Sequence, residues 1–184
     1  MSATTATTGV TTWKIDPAHS AAEFKVKHMM ISNVKGKFHG ISGELNFNEA
    51  DPIKSSVEAS IPVASLSTGD AQRDGHLKSP DFFDADKFPT MTFKSTEVTQ
   101  TGATEFAVVG ELSLHGVTRT VSFAVEELSA PGKDPWGNTR LGLEASARIN
   151  RKDFDLSWNS ALETGGVLVG EDIQITLDVE FIKA

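Results

Sequence analysis

The chain has 184 residues, of which 39% are apolar and 23% charged, so it can form one domain with a hydrophobic core. Its formal net charge of -8 opposes general nucleic-acid binding, and the absence of cysteine excludes disulfides, thiolate metal sites and cysteine nucleophiles. No apolar run approaches the roughly 20 residues of a membrane-spanning helix. The threonine-rich N-terminus shows neither the basic nor the apolar region of an export signal, so we expect a cytoplasmic location.

Hydrophobic and polar residues alternate along most of the chain, which predicts strands with one buried face. The apolar row changes phase between Phe38 and Leu45, so we expect a bulge or bend around Gly40–Gly43. His115-Gly116 is typical of a tight hairpin turn, and residues 131–138 form a turn cluster. About eight strands are expected in addition to a short opening strand at residues 12–15. They cover residues 22–28, 34–47, 57–63, a start near 91–93, 106–114, 117–125, 141–149 and 173–181.

The alternation is lost between Ser65 and Pro89, where two short helical turns are predicted, near residues 69–77 and 80–86. Ser79-Pro80-Asp81 places an N-cap residue, a proline suited to the first helical position and a first-turn acid in order. A second irregular segment covers residues 157–170.

Short turns between successive strands indicate an antiparallel sheet, and closing that sheet removes both of its free edges. We therefore predict an all-β fold: a single extended eight-stranded antiparallel β-barrel with one short helical insert around residues 69–88. Residues 1–11 are expected to be a flexible N-terminal segment and residues 12–184 the barrel domain. Gly110, Ala145 and Ala147 lie among larger inward residues, so the lumen is either filled or left as an elongated apolar space.

Several short motifs, in this order and spacing, resemble the YceI family over nearly the whole chain, from Trp13 to about Phe181. They are Trp13–Ser20, Phe24–Met29, Thr68–Leu77, Phe82–Ala85 with Phe88–Pro89, Leu114–Thr118, Asn150–Phe154 and Val169–Glu171. The resemblance implies a lipocalin-like barrel that holds the tail of a polyisoprenoid or another long lipid in its lumen. Many family members carry an export signal and work in the periplasm, a pattern from which this chain departs; the departure favours a cytoplasmic member or a sequence trimmed at its N-terminus.

The candidate ligand-binding residues are large apolar side chains on the strand rows, at strand ends and on the insert. As a lumen-and-gate set they are Phe24, Val26, Met29, Met30, Phe82, Phe83, Phe88, Phe93, Phe106, Val108, Phe123, Leu143, Ala147, Trp158 and Leu177. Each also fits a plain role as barrel core, and the insert phenylalanines fit either a plug or a gate. A bound tail would gain about 0.8 kcal/mol per buried CH₂, so shape and length would govern recognition.

Arg73, Asp74 and His76 form a polar set within the irregular insert. One interpretation is a loop anchor made of charge-assisted hydrogen bonds. In the other, Arg73 and His76 contact a ligand head group such as a pyrophosphate, a quinone carbonyl or an amide. Asn150, Arg151 and Asp153 indicate a turn anchored by side-chain hydrogen bonds.

The sequence contains no HExxH, GxSxG or Walker spacing, and its five histidines are scattered. We therefore predict a non-catalytic protein, without cofactor or metal, that binds, stores or transports a long-chain isoprenoid or related amphiphilic lipid. Two alternatives stay open: an enzyme or metal-dependent stress protein using Arg73–His76, and a filled barrel that acts through partner contacts. The expected partner is the lipid; nucleic acid is not expected, and a homodimer is considered.

Overall fold

The computed structural model describes residues 9–184, and most of these residues lie in β-strands. The strands of this part of the chain are β1 Val10–Ile15, β2 Ala21–His28, β3 Ser32–Phe38, β4 Ser42–Asn48, β5 Ser56–Pro62, β6 Thr90–Gln100, β7 Phe106–Leu114, β8 Val117–Leu128, β9 Gly132–Lys133, β10 Thr139–Asn150 and β11 Val169–Lys183. Helix α1 covers Ala71–Lys78, and short 3-10 turns cover Pro17–His19, Pro52–Lys54, Val63–Ser65 and Arg151–Phe154. Within residues 9–184 no helix is long and apolar enough to cross a membrane, and the cytoplasmic location stays a prediction.

The sheet closes on itself because β11 pairs with β10 on one edge and with β1 and β2 on the other. β1 and β2 form one composite strand, interrupted by the turn at Pro17–His19. β3 and β4 form the next, since β3 pairs with β2 and β4 pairs with β1. With β5, β6, β7, β8, β10 and β11, the barrel has eight antiparallel members, and the predicted fold class is confirmed.

The phase change predicted around Gly40–Gly43 marks the passage between the two halves of a composite strand. The chain leaves β3 after Phe38 and re-enters the sheet at Ser42, with Gly40 and Gly43 at φ values of 69° and 150°. At Gly43 a Cβ would overlap the Glu58 carbonyl of β5, so only glycine fits there. The glycines at this bend therefore allow the apolar side chains of both β3 and β4 to face the barrel interior.

The predicted domain boundary at residue 12 stays a prediction, although the first strand starts before that residue. β1 begins at Val10, which pairs with Asn48, and Thr11 pairs with Phe47. Residues 1–8 of the predicted flexible segment lie outside the described residues.

Of the two helical turns predicted in the insert, one forms a helix. Asp70 accepts a hydrogen bond from the Arg73 amide and begins α1. The prediction for residues 80–86 is wrong, because this segment forms hydrogen-bonded turns with Asp84 at a φ of 47°. Phe82 and Phe83 both line the barrel interior, and adjacent residues of a helix would point about 100° apart. Turns rather than a helix allow both rings to face inward.

Candidate functional site

A cavity of about 240 Å³ occupies the barrel interior. All eight members of the barrel contribute to its wall, through the inward rows that their alternation predicts. The wall consists of aliphatic and aromatic side chains except for Glu23 and Arg151 at its edge. The lumen is therefore hollow in part, which answers the question that the sequence leaves open.

The helical insert covers this cavity at the end where β5 stops and β6 begins. Leu77 of α1 and Phe82 and Phe83 of the following turns all line the cavity. The Phe83 ring meets Phe38 edge-on with centroids 5.6 Å apart, and Phe38 lies 5.8 Å from Phe24 on β2. The insert thus packs on the barrel wall through edge-on and tilted aromatic rings, an arrangement that gives packing without polar groups.

Two glycines shape the aromatic part of the wall. A Cβ at Gly36 would overlap the Phe24 ring, and a Cβ at Gly110 would overlap the Phe93 ring. Both phenylalanines line the cavity. Their rings therefore occupy space beside the backbone that a side chain at either position would take.

A second, smaller cavity of about 70 Å³ continues the apolar interior toward the other end of the barrel. The two cavities share wall residues, which are Val57, Val108, Val125, Leu143 and Phe181. The shared side chains form a thin partition, so the apolar space extends along the barrel axis.

Nine of the fifteen predicted lumen-and-gate residues line the main cavity. They are Phe24, Val26, Phe82, Phe83, Phe93, Val108, Phe123, Leu143 and Leu177. Phe106 lines the second cavity. The inward rows of β11 and β10 contribute further wall residues that the prediction did not single out, among them Ala145, Ile149, Ile173, Ile175 and Val179.

The other five predicted residues lie outside the cavity walls. Met29 and Met30 form the exposed turn between β2 and β3. Phe88 packs on the His115 ring with centroids 5.0 Å apart, and Trp158 packs behind Phe82 with centroids 5.2 Å apart. Ala147 packs against the core on the inward face of β10 without reaching the wall.

The side chains of the polar set form hydrogen bonds with residues of the same irregular segment. Arg73 donates from Nε to the Thr68 hydroxyl at 2.8 Å and from Nη2 to the Thr68 carbonyl at 3.1 Å. Thr68 donates its amide and hydroxyl to Asp74, and the hydroxyl hydrogen bond holds the pKa of that carboxyl below its usual value. His76 Nε2 lies 2.8 Å from an Asp81 carboxylate oxygen.

Arg151 is a buried cation at the edge of the cavity, and its place in the wall was missed. Its side chain donates to four carbonyl groups, those of Gly170, Leu156, Trp158 and Val169, at 2.6–3.3 Å. The sequence predicted a turn at Asn150–Asp153, which is present as a 3-10 turn capped by Asn150. The local sequence does not show that the guanidinium points inward, because two of its acceptors belong to the start of β11 and all four are backbone carbonyls, which carry no sequence signal.

A group of possible metal ligands lies on the outside of the barrel. Within the described residues, Asp16, His19 and Glu180 are close enough to share an ion. Arg140 donates to both Asp16 and Glu180 and also to Asp134, so a guanidinium already supplies the positive charge between these carboxylates. This group is therefore an ion-pair network that ties β1 to β10 and β11.

The fold and the cavity together define a class of protein: closed, lipocalin-like, eight-stranded antiparallel barrels with an apolar interior. The sequence model of the YceI-like domain matches residues 13–181. The chain belongs to this family, which confirms the resemblance seen in the sequence motifs.

Curated relatives come from distant bacteria. A UPF0312 protein of Staphylococcus aureus is 37% identical over 175 residues, which cover 94% of this chain and 98% of that protein. A UPF0312 protein of Vibrio cholerae is 41% identical over 139 residues, which cover 76% of this chain and 73% of that protein.

Solved structures show the same barrel. BcnA of Burkholderia cenocepacia matches with a TM-score of 0.78 and 25% identity, over 90% of this chain and 98% of that one. The YceI protein of Campylobacter jejuni matches with a TM-score of 0.72 and 29% identity, over 87% and 91%. A polyisoprenoid binding domain from Saccharophagus degradans matches with a TM-score of 0.68 and 15% identity, over 96% and 100%; at that identity the likeness is one of fold.

Proposed function

We propose that this protein binds the tail of a long-chain isoprenoid or related amphiphilic lipid in the barrel cavity, for storage or transport and without chemical change. The observation that carries the proposal is the apolar cavity of about 240 Å³ in the barrel interior. Apolar cavities of this kind stay dry, and they take up apolar ligands.

An empty cavity of this size lowers the stability of the fold. At about 24 cal/mol per Å³, a void of about 240 Å³ lowers the free energy of unfolding by about 6 kcal/mol. This is comparable to the whole stability of a typical domain, about 5–15 kcal/mol. A bound tail restores the missing contacts, so the fold is best explained as one that contains a ligand.

The comparisons support the ligand class. The chain shares the YceI-like fold with the polyisoprenoid binding domain of Saccharophagus degradans, and we extend that ligand class to this chain as part of the proposal. The nine wall residues among the predicted set would contact the tail. Arg73 and His76 stay head-group candidates, although their side chains already have partners in Thr68 and Asp81. The enzyme alternative gains no supporting contact from these residues.

The first test identifies the native ligand. Organic extraction of the protein purified from its own host, followed by mass spectrometry, should yield a stoichiometric long-chain lipid. Repeated extracts that contain no lipid, from protein shown to be folded, would contradict the proposal.

The second test measures how affinity depends on tail length. An apolar cavity of about 150 Å³ holds one benzene, so about 240 Å³ holds about ten carbons. With delipidated protein and a series of prenyl alcohols, affinity should rise about fourfold per added CH₂ up to about that length, following about 0.8 kcal/mol per CH₂. For longer tails, a further rise in affinity requires that the tail reach the second cavity, beyond the partition formed by Val57, Val108 and Leu143. Affinity that does not change with tail length would exclude the cavity as the binding site.

A further inference from the structure

The turn between β2 and β3 presents three consecutive large hydrophobic side chains to solvent. Met29 is 42% exposed, Met30 62% and Ile31 79%. The apolar surface continues onto the loop before β11, because the Met30 thioether lies over Gly166 and Val167 beside it is exposed. We call residues 29–31 the hairpin tip.

The backbone of the hairpin tip is poorly suited to these residues. Met29 and Met30 have φ values of 51° and 61°, and the Ile31 amide donates to the His28 carbonyl, which makes a type I′ turn. This turn favours Asn-Gly, and larger side chains are strained in the left-handed region. The fold alone would therefore not select two methionines here.

The hairpin also carries an excess of positive charge on an acidic protein. Its lysines are Lys25, Lys27, Lys35 and Lys37, and its one acid, Glu23, pairs with Lys37 at 2.6 Å. Lys25 and Lys35 lie directly opposite each other across the two strands, a placement that destabilises a sheet. Within residues 9–184, Lys25, Lys27 and Lys35 form no ion pair.

We propose that the β2–β3 hairpin docks this protein on an anionic lipid bilayer, with the hairpin tip entering the membrane interface and the lysines facing the lipid phosphates. Flexible apolar side chains flanked by lysines have the composition of an interfacial anchor. The formal net charge of -8 would keep the rest of the surface away from the same bilayer, so the charge pattern also fixes the orientation.

The position of the hairpin connects this surface to the cavity. Phe24 and Val26 of β2 line the cavity, and the hairpin tip follows Val26 after only two residues. Val169, which pairs with His28 at the tip, also lines the cavity. Docking by the tip would hold the covered end of the barrel against the membrane. The docking itself does not depend on which ligand the cavity holds.

The test is vesicle co-sedimentation of the full chain. Vesicles of phosphatidylcholine with phosphatidylglycerol should bind the protein, vesicles of phosphatidylcholine alone should bind it weakly, and high salt should release it. The variant Met29→Asn/Met30→Gly/Ile31→Ser should lose about tenfold or more in binding. Its midpoint of urea unfolding should stay the same or rise, because Asn-Gly suits the type I′ turn. Misfolding is thereby separated from the loss of docking.

A charge variant and a matched control complete the design. Lys25→Gln/Lys35→Gln should lose roughly fivefold per lysine on the anionic vesicles and keep its stability, since the like-charge pair is removed. Trp136→Ser removes the most exposed large hydrophobic residue, 81% accessible on the β9–β10 turn, and should bind as the unchanged protein does.

Three outcomes would overturn the proposal. They are absence of binding by the unchanged protein, equal binding by the hairpin-tip variant, and an equal loss in Trp136→Ser. Light scattering without vesicles measures the molecular mass and tests whether the hairpin tip instead binds a second copy of this chain. If the hairpin-tip variant changes the molecular mass in solution and vesicles bind neither form, the tip is a contact between copies of this chain.

Discussion

At the scale of single residues, Arg151 is the buried polar group on which the loop before β11 depends most. It is 3% exposed, burial lowers the pKa of its guanidinium, and within residues 9–184 its partners are carbonyl groups rather than a carboxylate. Replacement by methionine leaves the carbonyls of Leu156, Gly170 and their neighbours without donors in a buried site. We expect Arg151→Met to lower the free energy of urea unfolding by at least about 3 kcal/mol.

The adjacent lysine provides the matched control for this prediction. Lys152 is exposed and pairs with Glu171 at the surface, so Lys152→Met should change the free energy of unfolding by about 1 kcal/mol or less. If both variants lost the same free energy of unfolding, the four hydrogen bonds from Arg151 to carbonyl groups would make no special contribution to stability.

The second prediction at this scale concerns acid stability and the network around Arg140. Hydrogen bonding to Arg140, with a smaller effect of His19, lowers the pKa of Asp16 from its usual 3.8 to about 2, and Arg140 holds the pKa of Asp134 well below its usual value. Both carboxyls have a lower pKa in the folded than in the unfolded protein. Their contribution to stability is therefore complete above the unfolded value and is lost as the pH falls through the folded one.

Stability measured by urea unfolding should accordingly fall between about pH 4 and pH 2. In Arg140→Gln, stability at neutral pH should be lower and this acid dependence should become flatter, because Asp16, Asp134 and Glu180 then repel one another when ionised. Arg119→Gln removes an exposed arginine whose side chain donates only to the Thr118 carbonyl, and it should keep the original profile. An unchanged profile in Arg140→Gln would exclude the network as the source.

At the scale of elements, the insert meets the loop before β11 through three rings. The His76 ring lies 5.1 Å from Phe82 and 4.9 Å from Trp158, and Phe82 lies 5.2 Å from Trp158, all between centroids. Since Phe82 lines the cavity, these contacts hold one wall residue in place. If ligand leaves through this end, Trp158→Ala should release a fluorescent prenyl probe about tenfold faster, since each aromatic pair contributes about 0.5–1.5 kcal/mol.

Stopped-flow dilution of the loaded protein measures this release. Trp136→Ala is the control, because Trp136 lies on the β9–β10 turn and is exposed. A release rate unchanged in Trp158→Ala, with the fold intact by circular dichroism, would place the exit elsewhere on the barrel.

The elements also show what the alternation of residues can and cannot predict. Rows such as Val121, Phe123 and Val125 are buried and alternate with exposed neighbours, so strand and inward face follow from the sequence. Pairing between distant strands does not, because backbone hydrogen bonds carry no sequence preference. The sequence therefore did not predict that β1 and β2 share one edge of β11. It also did not predict that hydrogen-bonded turns, rather than a helix, place Phe82 and Phe83 at the cavity.

At the scale of the whole molecule, the same limit applies to the site. Periodicity assigns a side chain to the inward face but does not show whether that side chain reaches a cavity. Ala145, Ala147 and Ile149 lie on one face of β10, yet Ala147 does not line a cavity whereas the residues on either side of it do. Met29 and Met30 follow an inward row but lie past the end of the strand, where the turn directs them to solvent.

The final prediction uses the difference between Ala145 and Ala147 to test whether the cavity is the binding site. Ala145 is 4% exposed, lies opposite Val125 and Leu177, and forms part of the main cavity wall. In Ala145→Phe the ring would occupy space that a ligand tail needs. Uptake of a prenyl alcohol per folded molecule should fall, while the free energy of unfolding stays the same or rises, because the added ring fills a void.

Substitutions of two further alanines serve as controls for Ala145→Phe. Ala147→Phe, two residues along the same inward face at a position that packs against the core without lining the cavity, forces a ring into packed core and should lower stability by about 1–3 kcal/mol, with a smaller loss of uptake per folded molecule than in Ala145→Phe. Ala124→Phe places the ring on the exposed face of β8 and should change neither. If Ala145→Phe instead loses stability and keeps full uptake, the space beside Ala145 is solid packing and the lipid binds elsewhere. The three variants replace alanine by phenylalanine at a cavity wall, in packed core and on the exposed face, so comparing them separates the role of the cavity from general effects of a larger side chain.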